Sequence, residues 1–226
     1  MGVLRRALSA AALACSCLSS AHAAQAVDFA GAPASADARH VAQWVAESRD
    51  NQGLPFVIVD KKDARVFVFG PEAHMLGTSP ALLGMARGDH SVAGVGALDP
   101  ARIPPADRTT PAGRFESEPG INRDGEDIVW IDYDAGLAIH RVRANAAREA
   151  RLQRLASAVP DAHRVSAGCV VLPESFYEGV LMPALARSRG VVYVLPETRP
   201  VHEVFGDAVR MHTQAAADIH ATGQPR

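Results

Sequence analysis

The chain has 226 residues, with 23 Lys and Arg against 25 Asp and Glu and a formal net charge of −2. A balance this close to neutral provides no polybasic surface for nucleic acid or an anionic membrane. With 18 Gly, 15 Pro and apolar clusters recurring along its length, it reads as a turn-rich globular chain, neither disordered nor collagen-like.

The chain opens Met1-Gly2-Val3-Leu4-Arg5-Arg6, runs through an Ala/Leu-rich stretch to about Leu18, and reaches Ala21-His22-Ala23. A basic start, a short apolar core and an A-x-A ending predict an export signal over 1–23, with Ala24-Gln25-Ala26 as a second cleavage site. The apolar run is too short to cross a bilayer and no later stretch is long enough, so export to the periplasm without stable membrane insertion is expected. Cleavage removes Arg5 and Arg6, taking the formal charge from −2 to −4. It also removes Cys15 and Cys17 and leaves Cys169 without a cysteine partner. An unpaired thiol in an oxidising compartment is either deeply buried or used, and use is the favoured reading.

Residues 24–53 are expected to form an N-terminal extension with one helix. Ser35 caps it, and Val41, Trp44, Val45 and Ser48 share one face. Leu54–Asp60 reads as a strand and Ala64–Gly70 as its hairpin partner across Lys61-Lys62-Asp63. Gly77, Pro80 and Gly84 interrupt Leu76–Ala86, Val92–Val95 suggests a strand, and Leu98–Asn122 reads as a long ordered loop. Ile128–Tyr133 and Leu137–His140 are strands around the turn Asp134-Ala135-Gly136, with Trp130 assigned to the core and Tyr133 a candidate for a cleft wall. A helix follows over Asn145–Val159, stopped by Pro160. Ser175 and Glu178 have capping-box spacing and open a helix that Gly190 closes, before a last strand at Val191–Leu195. The tail, 197–226, carries one more short helix between His202 and His220. The sum is a mainly β domain over 54–196 with a few peripheral helices.

The chemistry-bearing stretch is Ser166-Ala167-Gly168-Cys169-Val170, with His140 29 positions upstream at the end of an apolar strand. A thiol on a tight turn and a strand-borne imidazole are the parts of a nucleophile–base pair. Gly168 lets the backbone pass close to the sulfur and leaves an amide for an oxyanion. Ser166 supports the turn. His163 is an alternative acid–base group, with an exposed loop position as its bland reading. Arg114 and Arg141 are candidates to meet substrate carboxylates. No cofactor is called for. Zinc is disfavoured because Cys169 has no closely spaced second cysteine and no HxxxH-type helix is present.

Taken together, the hairpin Phe56–Phe69, the segment Thr110-Pro111-Ala112-Gly113-Arg114-Phe115, and Ile139-His140 followed by Ser166-x-Gly168-Cys169-Val170 resemble the L,D-transpeptidase catalytic domain, also called YkuD or ErfK/YbiS. The likeness runs from about Leu54 to Leu195. It implies a β-sandwich-like fold with a peptidoglycan stem peptide in its cleft. It also implies a thioester acyl-enzyme that releases D-alanine from a tetrapeptide stem and passes the acyl group to an amine or to water. Cys169 corresponds to the nucleophile, His140 to the base, the Arg141 carbonyl to the group orienting the ring, and the Gly168 and Cys169 amides to the oxyanion hole. Two positions depart from the pattern: Ala167 replaces a histidine and Val171 an Arg or Asn. The His140–Cys169 interval is also longer than the common one, and the helix at Asn145–Val159 absorbs the excess as a lid or rim. The alternatives are a secreted cysteine amidase or peptidase on another substrate, and a non-catalytic cell-wall-binding protein.

Overall fold

The computed structural model describes residues 26–185 and 189–206. The export signal, Cys15, Cys17 and the end of the tail beyond 206 lie outside the described residues. Helix α1 (Ala36–Ser48) starts where Ser35 Oγ accepts the Ala38 N–H at 3.0 Å and ends on Arg49 in the left-handed region. Ten strands follow: β1 (Phe56–Asp60), β2 (Arg65–Phe69), β3 (Met75–Pro80), β4 (Leu83–Gly84), β5 (Gly113–Ile121), β6 (Asp127–Asp132), β7 (Leu137–Arg141), β8 (Arg164–Ser166), β9 (Val170–Leu172) and β10 (Gly190–Val194). Helix α2 (Arg148–Leu155) joins β7 to β8. After β9, α3 (Glu174–Phe176) runs through a π turn at Tyr177–Leu181 into α4 (Met182–Leu185), and α5 (Val201–Phe205) comes last.

Eight strands form one mixed sheet in the order β3-β2-β1-β10-β5-β6-β7-β9, while β4 and β8 form a small parallel pair. Alternation sorts the side chains of the first half. Phe56, Ile58, Phe67, Phe69, Val191 and Tyr193 turn to one face, where α1 covers them with Val41, Trp44 and Val45. Val57, Val59, Val66, Val68, Val192 and Val194 turn to the other. That second face meets Val129, Ile131, Leu137, Ile139, Val170 and Leu172 from the far end of the sheet, with Tyr177, Leu181 and Leu185 closing the same core. Residues from both ends can share one core only because the sheet curls back on itself, nearly closing into a barrel. The expected mainly β fold is therefore present, and its two layers are two halves of one sheet joined at β10.

Several local expectations change. Leu98–Asn122 is not all loop. Short 3-10 turns lead into β5, whose Gly113–Ser117 pairs with β10 and whose Glu118–Ile121 pairs with β6. Backbone pairing on two partners overrides the low strand propensity of Pro119 and Gly120, and Gly120 leaves the space that the Trp130 indole occupies. Val92–Val95 is not a strand, and Val95–Ala97 is a 3-10 turn. Helix α2 is shorter than Asn145–Val159. Ser175 is inside the α3 turn and not its cap, the cap position being Pro173, and Gly190 begins β10. Trp130 is only half-buried, edge-on to the exposed Tyr133 at 5.0 Å between ring centres.

Candidate active site

Strands β7 and β9 are parallel neighbours in the register Ile139↔Val170 and His140↔Val171. Ile139 and Val170 point into the core, so His140 and Val171 share the opposite face. Cys169, two residues before Val171, falls on that same face by alternation. Strand β7 thus brings His140 beside the turn that carries Cys169 into β9, with the sulfur directed at the Gly136 carbonyl. Trp130, opposite Ala138 on β6, borders the same row.

The imidazole is fixed. His140 Nδ1 lies 2.8 Å from the Arg141 carbonyl oxygen, which can only accept, so Nδ1 carries the proton and Nε2 keeps its lone pair. Burial is the main force holding the His140 pKa down to about 4; the Arg141 carbonyl opposes it, and the charges of Arg143 and Arg151 add to it. At neutral pH the ring is neutral. Burial likewise raises the Cys169 thiol, with partial relief from the Ala138 N–H, the Arg143 charge and its own amide. The resting pair is therefore thiol and neutral imidazole, with the sulfur's hydrogen bond directed at the Gly136 carbonyl, 3.6 Å away.

The cysteine turn is held from two sides. Ser166 Oγ donates to the Cys169 carbonyl at 2.6 Å and accepts the Gly168 N–H at 3.1 Å. Thr110 Oγ1 donates to the Gly168 carbonyl at 2.7 Å and accepts the Gly84 N–H at 2.9 Å. Gly168 sits at φ 139°, and a Cβ there would stand 2.9 Å from the Thr109 carbonyl oxygen. The Gly168 amide is occupied by Ser166, and the Ala138 and Cys169 amides are the backbone groups that lower the thiol against its burial. Beneath Thr110 lies a buried charged cluster. Lys61 Nζ donates to the carbonyls of Gly88 (2.6 Å) and Thr110 (2.8 Å) and to Asp89 Oδ1 (2.7 Å), and Arg164 pairs with Glu197. Burial opposes ionisation of Asp89, but hydrogen bonds from Lys61, Thr198 and two backbone amides outweigh it and hold the carboxyl far below the usual range.

Other candidates fall elsewhere. His163 is buried and not an exposed loop residue. Its two ring nitrogens meet the carbonyls of Ala81 and Ser157, both at 3.1 Å, so no lone pair is turned toward the sulfur. Arg114 is tied to Asp50 at 2.6 Å beside Tyr193, on the α1 side of the sheet and away from Cys169. The Arg141 guanidinium lies over the Tyr177 ring, 5.7 Å from its centre, with Asp127 and Glu178 each 3.9 Å away. Its carbonyl, not its charge, serves His140. Thr110 and Ala138 went unassigned in the sequence. Thr110 stood inside a recognisable segment, whereas a backbone amide leaves no sequence signal. Among the described residues, no three His, Cys, Asp or Glu side chains gather as metal ligands.

No protein-family model and no curated protein sequence matches the chain. Solved structures do. The helical cell shape determining protein Pgp2 from Campylobacter jejuni is similar at 15% identity and a TM-score of 0.46, over 75% of this chain and 58% of that one. An L,D-transpeptidase from Mycobacterium smegmatis is similar at 19% identity and a TM-score of 0.34, over 62% and 58%. The catalytic domain of an E. faecium L,D-transpeptidase is similar at 16% identity and a TM-score of 0.30, over 62% of this chain and 95% of that domain. The chain thus spans little more than half the length of the first two.

Proposed function

We propose that the chain is an exported cysteine acyltransferase of the L,D-transpeptidase type, acting on peptidoglycan tetrapeptide stems in the periplasm. One observation carries the reading: β7 and β9 are parallel neighbours that bring His140 beside the cysteine turn, with its Nδ1 held by the Arg141 carbonyl and Nε2 left to serve as base. In the first half-reaction Sγ attacks the stem carbonyl as its proton passes to Nε2. The Cys169 and Ala138 amides stabilise the oxyanion. The C–N bond breaks, D-alanine leaves with the proton returned from His140, and a thioester remains. An acceptor amine then attacks, giving a 3-3 cross-link, or water attacks, giving a trimmed stem. The acceptor's proton goes to Nε2, and the departing sulfur recovers it.

On this reading 1–23 is the export signal, 24–53 an extension, 54–196 the catalytic domain and 197–226 a tail. Among the described residues no helix is long and apolar enough to cross a membrane. Intact-protein mass spectrometry with a tetrapeptide stem, and separately with a carbapenem as donor mimic, is the test. A mass gain mapped to Cys169 with loss of D-alanine is expected. A folded protein whose reduced Cys169 takes a small alkylating agent but neither reagent is instead a non-catalytic wall-binding protein. An adduct from stems that lack the L,D bond identifies an amidase or peptidase of other specificity.

A further inference from the structure

Helix α2 brings a cation to the face that carries Cys169 and His140. Its Leu152 and Leu155 pack with Leu82, Val142 and Val171, and Val171 is the strand partner of His140. The helix therefore lies on the catalytic face, opposite the main core. Arg151 precedes Leu152 and stands one turn before Leu155, on the flank turned to that face.

Its neighbours are all engaged. Arg148 pairs with Glu174 at 3.3 Å, Arg154 donates to the Ala162 carbonyl at 2.8 Å, and Arg143 meets Asp124 at 2.9 Å and Glu126 at 3.2 Å. Arg151 differs. Its Nη1 is buried with no hydrogen-bond partner, as is the Nε of Arg143, but Arg143 keeps two carboxylates within reach whereas no described carboxylate pairs with Arg151. A guanidinium N–H withdrawn from water and left unmatched is unfavourable unless a ligand completes it. The group that matches a guanidinium fork is a carboxylate, bound through two parallel N–H···O bonds. The Arg151 charge also acts on the His140 ring, behind burial and the Arg143 charge, in keeping with the place of the helix on that face.

We propose that Arg151 binds a carboxylate of the acyl donor next to Cys169 and His140, making the site selective for anionic donors. This rests on the acyl-transfer reading of that pair. It also reassigns carboxylate recognition from Arg114 and Arg141, which are held by Asp50 and by the Tyr177 ring. The helix that lengthens the His140–Cys169 interval is then a specificity element and not filler.

The test compares two alkylating agents of equal size, iodoacetate and iodoacetamide, on the full chain, with reaction at Cys169 read by peptide mass spectrometry. Relative to a small free thiol, the wild type should favour iodoacetate. In Arg151→Gln that preference ratio should fall about 10- to 100-fold, the range of a charge-assisted hydrogen bond. Arg151→Lys, which keeps the charge but not the fork, should retain part of it. Arg148→Gln should retain most of it, since Arg148 is already paired with Glu174. A wild-type ratio equal to that of the free thiol overturns the proposal without recourse to any variant, as does an unchanged ratio in folded Arg151→Gln. Selectivity that persists although the tetrapeptide stem leaves no adduct supports the Arg151 site and counts against acyl transfer alone.

Discussion

At the scale of single residues, His140 as the proposed base should set the pH behaviour. With a folded pKa of about 4, its base form is available well below the usual histidine range. The acid limb of kcat/KM should therefore fall near pH 4, with no inflection near 6.5. Stability follows the same shift. Between pH 6.5 and 4 the unfolded chain binds a proton that the folded chain does not. Acidification through that window should remove about 3 kcal/mol, all of it present above pH 6.5. Denaturant titrations of wild type and His140→Gln should converge as the pH drops, the variant lacking this component. Cys169→Ala should abolish acylation while leaving the fold intact, because one lost sulfur makes a small cavity. His140→Ala should slow acylation sharply yet keep a residual rate that grows as alkali ionises the thiol unaided. Ala167→His supplies a polar neighbour that the site lacks. Higher turnover would mark that absence as limiting, and unchanged or lower turnover a site fitted to alanine.

At the scale of elements, the segment from Thr109 to Gly113 acts as a strut. Thr110→Val removes the donor to the Gly168 carbonyl and strands the Gly84 amide, so a loss of about 1–3 kcal/mol is expected. The more telling readout is activity. The acylation rate should fall further than stability accounts for, measured where the variant is still fully folded. The segment was recognisable in the sequence, but its hydrogen bond to the cysteine turn was not, since residues 58 positions apart meet only after the sheet has curled. Strands β1 and β2 were legible because Phe and Val alternate there and each face finds a core. Strand β5 was hidden because Pro119, Gly120 and its charges suit a loop, and only its pairing with β10 and β6 makes it a strand. That β7 would bring His140 beside the cysteine turn was readable from residue type and order. Arg151 was not, because an orphaned guanidinium becomes visible only when its neighbours' partners are known.

At the scale of the whole molecule, Lys61 and β10 tie distant parts of the chain together. Lys61 joins the end of β1 to Gly88, Asp89 and Thr110, and Asp89 in turn accepts the amides of Glu197 and Thr198. Lys61→Met leaves Asp89 buried without its closest cation, and about 3–5 kcal/mol of stability should be lost in chemical denaturation. Strand β10 sits between β1 and β5, pairing Phe56 with Val191 in parallel and Phe115 with Val192 in antiparallel. Until residues 190–194 are in place, β1 and β5 each present an unsatisfied edge, and the two halves of the sheet have nothing between them. A chain emerging N-terminus first cannot finish its core before almost all of it has appeared. On the proposed export, that order would be protective. Premature closure would jam the passage, and a keystone strand placed so late would keep the polypeptide pliable until the journey is nearly over.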